Sequence, residues 1–241
     1  MMARNAYDKF QCSLYFFLSL LQLLCLASCC PTFKNPIPPP AELKADTQIL
    51  GTWVRTYKVN QSEYKEQLSI FSRSNGWIDV VWIYDIDKKE STDGVSLLVL
   101  EGYSVSVNKQ LFLCLRVRKR DFNWAGQKNP NWTEEAEGLC FTINWMIANY
   151  EAPTSDELVI KPFSSRRVEE LIEKGKLKGE VKKKNGLFRM QEPSLDEVTV
   201  TSSSEELVEV ISQQGAGAFI CDDPNDTPRF MNVAVFSRVS K

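Results

Sequence analysis

The residue types best suited to chemistry lie in a stretch from Asp121 to Gly138 that shows no hydrophobic periodicity. It holds Trp124 and Trp132 together with several glutamates. Long loops of compact domains often carry function, and exposed tryptophans stack on sugars or contact apolar ligands. We therefore treat Trp124 and Trp132 as candidate ligand contacts. The alternative is a loop whose aromatic side chains fold back onto the end of the domain.

The chain contains no histidine, the commonest general base and metal ligand near neutral pH. This excludes Ser-His-Asp triads, Cys-His dyads and histidine-based zinc sites. Carboxylate chemistry of the kind that glycosidases run with two acids stays open. Because 31 aspartates and glutamates supply many accidental pairs, no catalytic residue is assigned and the chain is interpreted as a non-enzyme.

Two acidic segments are candidate cation sites. Residues 85–94 resemble part of a calcium loop, but Lys89 stands where the third oxygen ligand should be and the required glycine does not follow. A solvated hairpin is the better interpretation. Residues 222–226 offer several oxygens, and a plain surface turn is favoured there as well. We predict no metal and no cofactor.

Composition defines the class of protein. Hydrophobic residues make up 43% of the 241 residues and charged residues 25%, as is typical of a globular domain with a buried core. Lys plus Arg number 29 against 31 acids, a formal charge of -2. Without a basic surplus to neutralise phosphates, nucleic-acid binding is not expected.

The N-terminal residues have the order of a secretory signal. A polar stretch with Arg4 and Lys9 precedes a nearly continuous apolar run over residues 14–26. The run ends in Leu26-Ala27-Ser28-Cys29, which resembles the lipobox of bacterial lipoproteins. An ordinary signal peptide and an uncleaved anchor are the alternatives, and the 15 residues from Leu14 to Ser28 fall short of the roughly 20 that span a bilayer.

The lipobox resemblance implies that residues 1–28 are a signal peptide and that Cys29 carries a diacylglyceryl group. Two or more acyl chains hold a protein stably on a membrane. The proline-rich residues 29–45 are then expected to form an extended tether below a single domain over residues 46–241. We predict a location in the cell envelope. Cys30 after the lipidated residue favours the outer membrane or cell surface over the inner membrane.

From Ile49 onward the chain is predicted to form successive antiparallel strands. Apolar and polar residues alternate with period two over three segments, which indicates half-buried strands; these are residues 77–86, 111–118 and 141–148. Asp93-Gly94 and Val107-Asn108-Lys109 are the predicted hairpin turns. Residues 230–239 form the predicted closing strand.

Two matching units interrupt the strand pattern. Each is a strand, a serine cap, about three turns of amphipathic helix and a glycine stop. The first runs from Asp156 to Gly175 and the second from Asp196 to Gly215, and Ser203 with Glu206 fits a capping box. The likeness indicates either a duplicated element or two independent outcomes of the same physics.

Gly51-Thr52-Trp53, at the start of the first strand, resembles the Gly-x-Trp signature of lipocalins. The resemblance implies that Trp53 plugs the closed end of an antiparallel barrel and that a basic residue of the last strand, here Arg238, packs over it. An ordinary buried aromatic is the alternative for Trp53. We expect a β-rich α+β fold, either a lipocalin-like antiparallel barrel or a strongly curved sheet, with two short helices.

Cys114 and Cys140 lie on successive predicted strands. An oxidising compartment permits a disulfide between them, although adjacent strands do not guarantee bonding geometry. An unpaired buried thiol remains the alternative for each.

The leading hypothesis is a membrane-anchored envelope lipoprotein that binds an apolar or amphiphilic ligand, or a protein partner. Trp53, Trp124, Trp132 and Arg238 are its candidate ligand-binding residues. A structural scaffold without a ligand cavity is the second hypothesis, and a carboxylate-dependent glycan hydrolase is the third. The expected partners are the membrane, reached through the N-terminal lipid, and a small apolar ligand or an envelope protein.

Overall fold

The structure is a computed structural model that describes residues 31–59, 62–84, 96–118, 144–182, 197–220 and 233–239. In these ranges the chain forms eleven strands, two α-helices and one 3-10 helix. They are β1 Thr32–Phe33, β2 Gly51–Val59, β3 Ser62–Ser72, β4 Ile78–Tyr84, β5 Ser96–Val107, β6 Gln110–Val117, β7 Met146–Thr154, β8 Glu157–Pro162, α1 Ser165–Glu173, β9 Gly179–Lys182, β10 Glu197–Val200, α2 Ser204–Gln214, a 3-10 helix Ala216–Ala218, and β11 Ala234–Arg238.

Eight strands form a closed antiparallel barrel, which confirms the predicted fold class. Strands β2 to β8 follow one another around the barrel, and β11 closes it between β8 and β2. The predicted turn at Asn108 and Lys109 connects β5 and β6, and both residues have positive φ, as tight hairpin turns require. The other predicted turn, Asp93-Gly94, lies outside the described residues.

Alternation along the barrel strands separates two cores. Inward-facing side chains form an inner core that includes Trp53, Leu68, Ile70, Val80, Leu158 and Phe236. Outward-facing side chains of β5, β6 and β7 join an outer core with β1, β10 and both helices. A small sheet in the order β1-β10-β9 belongs to this second layer.

The second layer corrects the prediction of a half-buried strand for β6, whereas β4 is half-buried as predicted, with Ile78 and Val80 buried and Asp79 and Val81 partly exposed. On β6, Phe112 and Cys114 face the outer core and Leu113 faces the inner core, and all three are fully buried. A strand covered on both faces cannot be recognised as such from its own alternation, because the covering elements come from distant parts of the chain.

The strand predicted over residues 141–148 is displaced along the chain. Residues 141–143 lie outside the described part, Trp145 makes an isolated bridge to Phe33, and β7 begins only at Met146. Trp145 and Ile147 share the outer face as predicted, and both are buried in the outer core.

Both predicted helices are present with their caps. The Ser164 side chain caps α1, and Ser203 and Glu206 form the capping box of α2. Their preceding strands differ in environment, since β8 belongs to the barrel and β10 to the outer sheet. No helix within the described ranges has the length and apolar character needed to cross a membrane.

Residues 31–45 do not form the extended tether that their prolines predicted. Phe33 and Ile37 are completely buried in the outer core. The Ile37 carbonyl accepts a hydrogen bond from the Tyr103 hydroxyl, and the Pro36 carbonyl accepts one from Ser204 Oγ at 2.7 Å. An extended proline-rich backbone keeps its carbonyls free as acceptors, so this segment packs along the domain as a strap.

The strap gives a direct stability test. We expect Phe33→Ala to lower the free energy of unfolding by about 3 to 5 kcal/mol, because it empties a fully buried aromatic site. The matched control is Phe71→Ala, since Phe71 is 54% exposed, and it should stay within about 0.5 kcal/mol of wild type. Denaturant unfolding of both variants makes the comparison. Equal effects would mean that residues 31–45 do not belong to the folded domain.

Candidate functional site

The closed end of the barrel is built around Trp53. Its ring is completely buried, and Nε1 donates a hydrogen bond to the Ile49 carbonyl at 2.8 Å. Gly51 has a φ of 127°, and a Cβ there would lie 2.9 Å from Arg238 Nη1. Glycine therefore fits this position for two reasons: the backbone conformation, and the space that the arginine occupies.

Arg238 covers Trp53, so the structure brings these two predicted residues together. Its guanidinium carbon lies 4.1 Å from the ring centroid, within the range of cation–π attraction. Nη1 and Nη2 each donate at 2.8 Å, to the carbonyls of Leu50 and Gln48, and Nε donates to the Ser155 carbonyl. Arg238 thus joins β11 to residues 46–50, the segment that crosses this end of the barrel.

A tyrosine fixes the same crossing segment from inside. The Tyr150 hydroxyl donates to Asp46 Oδ2 at 2.8 Å. Burial raises the pKa of Tyr150 above its ordinary value, and the hydrogen bond to Asp46 adds to the rise. The hydroxyl therefore stays protonated and acts as a hydrogen-bond donor over the physiological pH range.

Burial of the inward-facing side chains changes along the barrel axis. Near Trp53 the lining residues Ile70, Ile78, Leu158 and Phe236 are at most 1% exposed. Towards the opposite end, the inward-facing apolar residues are only half-buried; they are Trp82, Leu98, Leu115, Val117, Met146 and Ile160. The apolar lining is almost completely buried around Trp53, which we call the floor, and partly exposed at the opposite end, which we call the mouth.

One ion pair lies inside the barrel between floor and mouth. Arg55 Nε donates to Glu66 Oε2 at 2.8 Å, and the two side chains are 8% and 3% exposed. Trp82 Nε1 donates to the same carboxylate oxygen at 3.2 Å. The residues face each other across the β2–β3 ladder, where Arg55 pairs with Glu66.

Aromatic rings surround this pair. The Arg55 guanidinium lies 4.9 Å from the Tyr57 ring and 5.2 Å from the Phe236 ring. Tyr57 stacks on Tyr64 across the same ladder with centroids 5.5 Å apart. The region below the mouth therefore combines apolar surface with a few oriented polar groups, the usual make-up of a small-molecule site.

Sequence reasoning missed Arg55 and Glu66. The available signal was period two: Trp53, Arg55 and Tyr57 alternate along β2 and therefore share one face. If Trp53 plugs the barrel, Arg55 must also point inward. The partner could not be identified without the register of β3.

A second cluster of charges lies on the outer face of β3 to β6. Arg73 donates to Asp79 and to Glu101, and Arg116 donates to Glu101 at 2.7 Å. The hydrogen bond from Arg73 lowers the pKa of Asp79. Burial alone would raise the pKa of Glu101, but hydrogen bonds from Arg116 and Arg73 lower it overall. A glycosidase acid requires a raised pKa, so these two carboxylates give no support to a hydrolase.

Several predicted site residues lie outside the described part of the chain: Cys29, Trp124, Trp132 and Cys140. Cys114 is a fully buried thiol, and burial raises its pKa to about 12. Its disulfide with Cys140 stays a prediction. Both acidic segments considered as cation sites lie entirely outside the described residues, and among the described ones no three potential metal ligands cluster.

Comparison of the chain with family models, with curated proteins and with solved structures finds no match.

The floor gives a testable prediction. We expect Arg238→Met to lower the free energy of unfolding by about 2 to 4 kcal/mol, because it removes charge-assisted hydrogen bonds and the cation–π contact while keeping the aliphatic stem. Arg166→Met is the control, since Arg166 is exposed on α1 and its pair with Glu170 at 3.7 Å should contribute under about 1 kcal/mol. Equal losses in denaturant unfolding would contradict a special role for Arg238.

Proposed function

We propose that the chain is a lipid-anchored envelope protein whose barrel takes up an apolar or amphiphilic ligand through the mouth. The observation that carries this proposal is the burial gradient inside the barrel. Around Trp53 most inward-facing apolar side chains are almost completely buried, with Leu111 as a partly exposed exception, whereas those at the other end are half-buried. Apolar surface that remains accessible inside a concave site favours binding of a hydrocarbon group.

A protein-docking scaffold is the second candidate. Three large hydrophobic residues are 44% to 54% exposed: Val235 on β11, Val239 directly after it, and Phe71 on β3. They lie on barrel faces away from the second layer. Exposed apolar residues of this kind suit a protein partner, but single residues on different strands give weaker support than the lined mouth does.

The anchor is tested by the intact mass of the protein extracted from membranes. We expect wild type to begin at Cys29 with the mass excess of a diacylglyceryl group, with or without a further acyl chain, and a Cys29→Ser variant to lack this excess. An unmodified cysteine at the mature N-terminus would contradict the anchor and leave the barrel as a separate question.

The ligand site is tested by photolabelling. The full chain in phosphatidylcholine vesicles is irradiated with a 16-carbon alcohol that carries a mid-chain diazirine, and adducts are mapped by peptide mass spectrometry. We expect adducts on inward-facing residues of β4, β5 and β7. Leu98→Lys should reduce labelling at least about tenfold, because an unpaired charge in the apolar mouth opposes hydrocarbon burial.

The control for this variant is its neighbour on β5. Val99 is half-buried like Leu98 but faces outward, so Val99→Lys should leave labelling within about twofold of wild type, since alternate strand residues lie on opposite faces. Equal losses in both variants, or adducts confined to outward-facing residues, would favour the scaffold.

A further inference from the structure

Stability alone does not account for the buried Arg55–Glu66 pair. Buried ion pairs are often no more stabilising than well-packed apolar residues of similar volume, because removing two charges from water costs several kcal/mol per ion. Both side chains are more than nine-tenths buried. They lie directly between the packed floor and the accessible mouth, which is where the polar group of a ligand would arrive.

Glu66 accepts its hydrogen bonds on one of its two carboxylate oxygens. In the described part of the chain, Arg55 and Trp82 both donate to Oε2, so Oε1 can accept a hydrogen bond from a ligand. An acceptor of this kind, beside a guanidinium that it already neutralises, suits an uncharged donor such as a hydroxyl or an amide. A carboxylate in the same place would face the charge of Glu66 at close range, which is unfavourable.

The difference in burial below and above the ion pair determines the orientation of a bound ligand. Below the pair, Trp53 and Leu68 are at most 4% exposed, so the lining there is closed to solvent. Above it, Trp82 and Leu98 form the half-buried apolar wall of the mouth. The polar end must therefore lie at the ion pair while the chain extends outward to the mouth.

We propose that the Arg55–Glu66–Trp82 cluster selects amphiphiles with an uncharged, hydrogen-bond-donating head, bound head-inward, and rejects long-chain carboxylates. This inference depends on the proposed ligand-binding function and adds to it the chemical class of the ligand. Glu66 Oε1 accepts the hydrogen bond from the ligand head, and the aromatic rings of Tyr57 and Tyr64 enclose the head on the β2–β3 side.

The test compares three ligands of equal chain length: 1-hexadecanol, hexadecanamide and hexadecanoate. Each is titrated against the full chain released from detergent micelles in native mass spectrometry. We expect the alcohol and the amide to bind at least about tenfold more tightly than the carboxylate, since one buried like-charge contact readily costs that factor.

Two variants assign the discrimination to Glu66. Glu66→Gln keeps the shape but removes the carboxylate charge that repels a bound carboxylate, so the ratio of alcohol to carboxylate affinity should fall at least about tenfold. Glu63→Gln is the control, because Glu63 is exposed on the outward face of the same strand, and it should leave the ratio unchanged. Circular dichroism reports folding, and if Glu66→Gln does not fold, the wild-type ranking decides.

The results of these titrations distinguish failure of the head-group inference from failure of ligand binding itself. Hexadecanoate binding to wild type as tightly as the alcohol, or an unchanged ratio in folded Glu66→Gln, overturns the inference while ligand binding itself stands. Failure of all three ligands to bind wild type, together with an absence of saturable photolabelling, overturns the proposed function and the inference with it.

Discussion

Closure of the barrel depends on one short seam. The last strand, β11, matches β8 over four residue pairs but β2 over only two, Ser237 with Val54 and Arg238 with Trp53. Beyond these two pairs Val239 N donates to the Thr52 carbonyl at 2.9 Å. The Arg238 side chain adds hydrogen bonds to the carbonyls of Leu50 and Gln48 before β2 and of Ser155 before β8. Because the guanidinium also lies on the Trp53 ring, the seam and the floor stabilise each other.

The fixed register of the strands above the floor allows the Arg55–Glu66 ion pair to be buried inside the barrel. A buried guanidinium and carboxylate are stable only in good geometry with further hydrogen bonds, and this needs strands held in fixed register. The β2–β3 ladder is continuous over nine residue pairs and places Arg55 directly opposite Glu66, and Trp82 on β4 adds the third group. The pair therefore stands where the fold is most regular and the apolar lining begins to open.

Local signals predicted most of the secondary structure. Alternation along β4 and β6, the turn at Asn108, and the Ser203–Glu206 capping box each lie within a few residues of chain, so propensity and pattern suffice. The second layer could not be predicted in this way, because burial of Phe33 and of both faces of β6 comes from elements far apart in sequence. The Trp53–Arg238 contact was accessible only through a family resemblance, and the Arg55–Glu66 pair required a register that no local pattern supplies.

The second layer also connects the N-terminal strap to the floor of the barrel. The two helices and strands β9 and β10 lie between β8 and β11 in sequence and, together with β1, cover β5 to β7 in space. Their packing leaves a binding surface for the strap, whose Phe33 bridges Trp145 beside the start of β7. Residues 46–50, which follow the strap, cross the floor, where Tyr150 and Arg238 hold them by hydrogen bonds. The strap is therefore continuous with the segment that completes the floor beneath the Arg55–Glu66 pair, and the buried side chains of Phe33 and Ile37 hold its first half against the second layer.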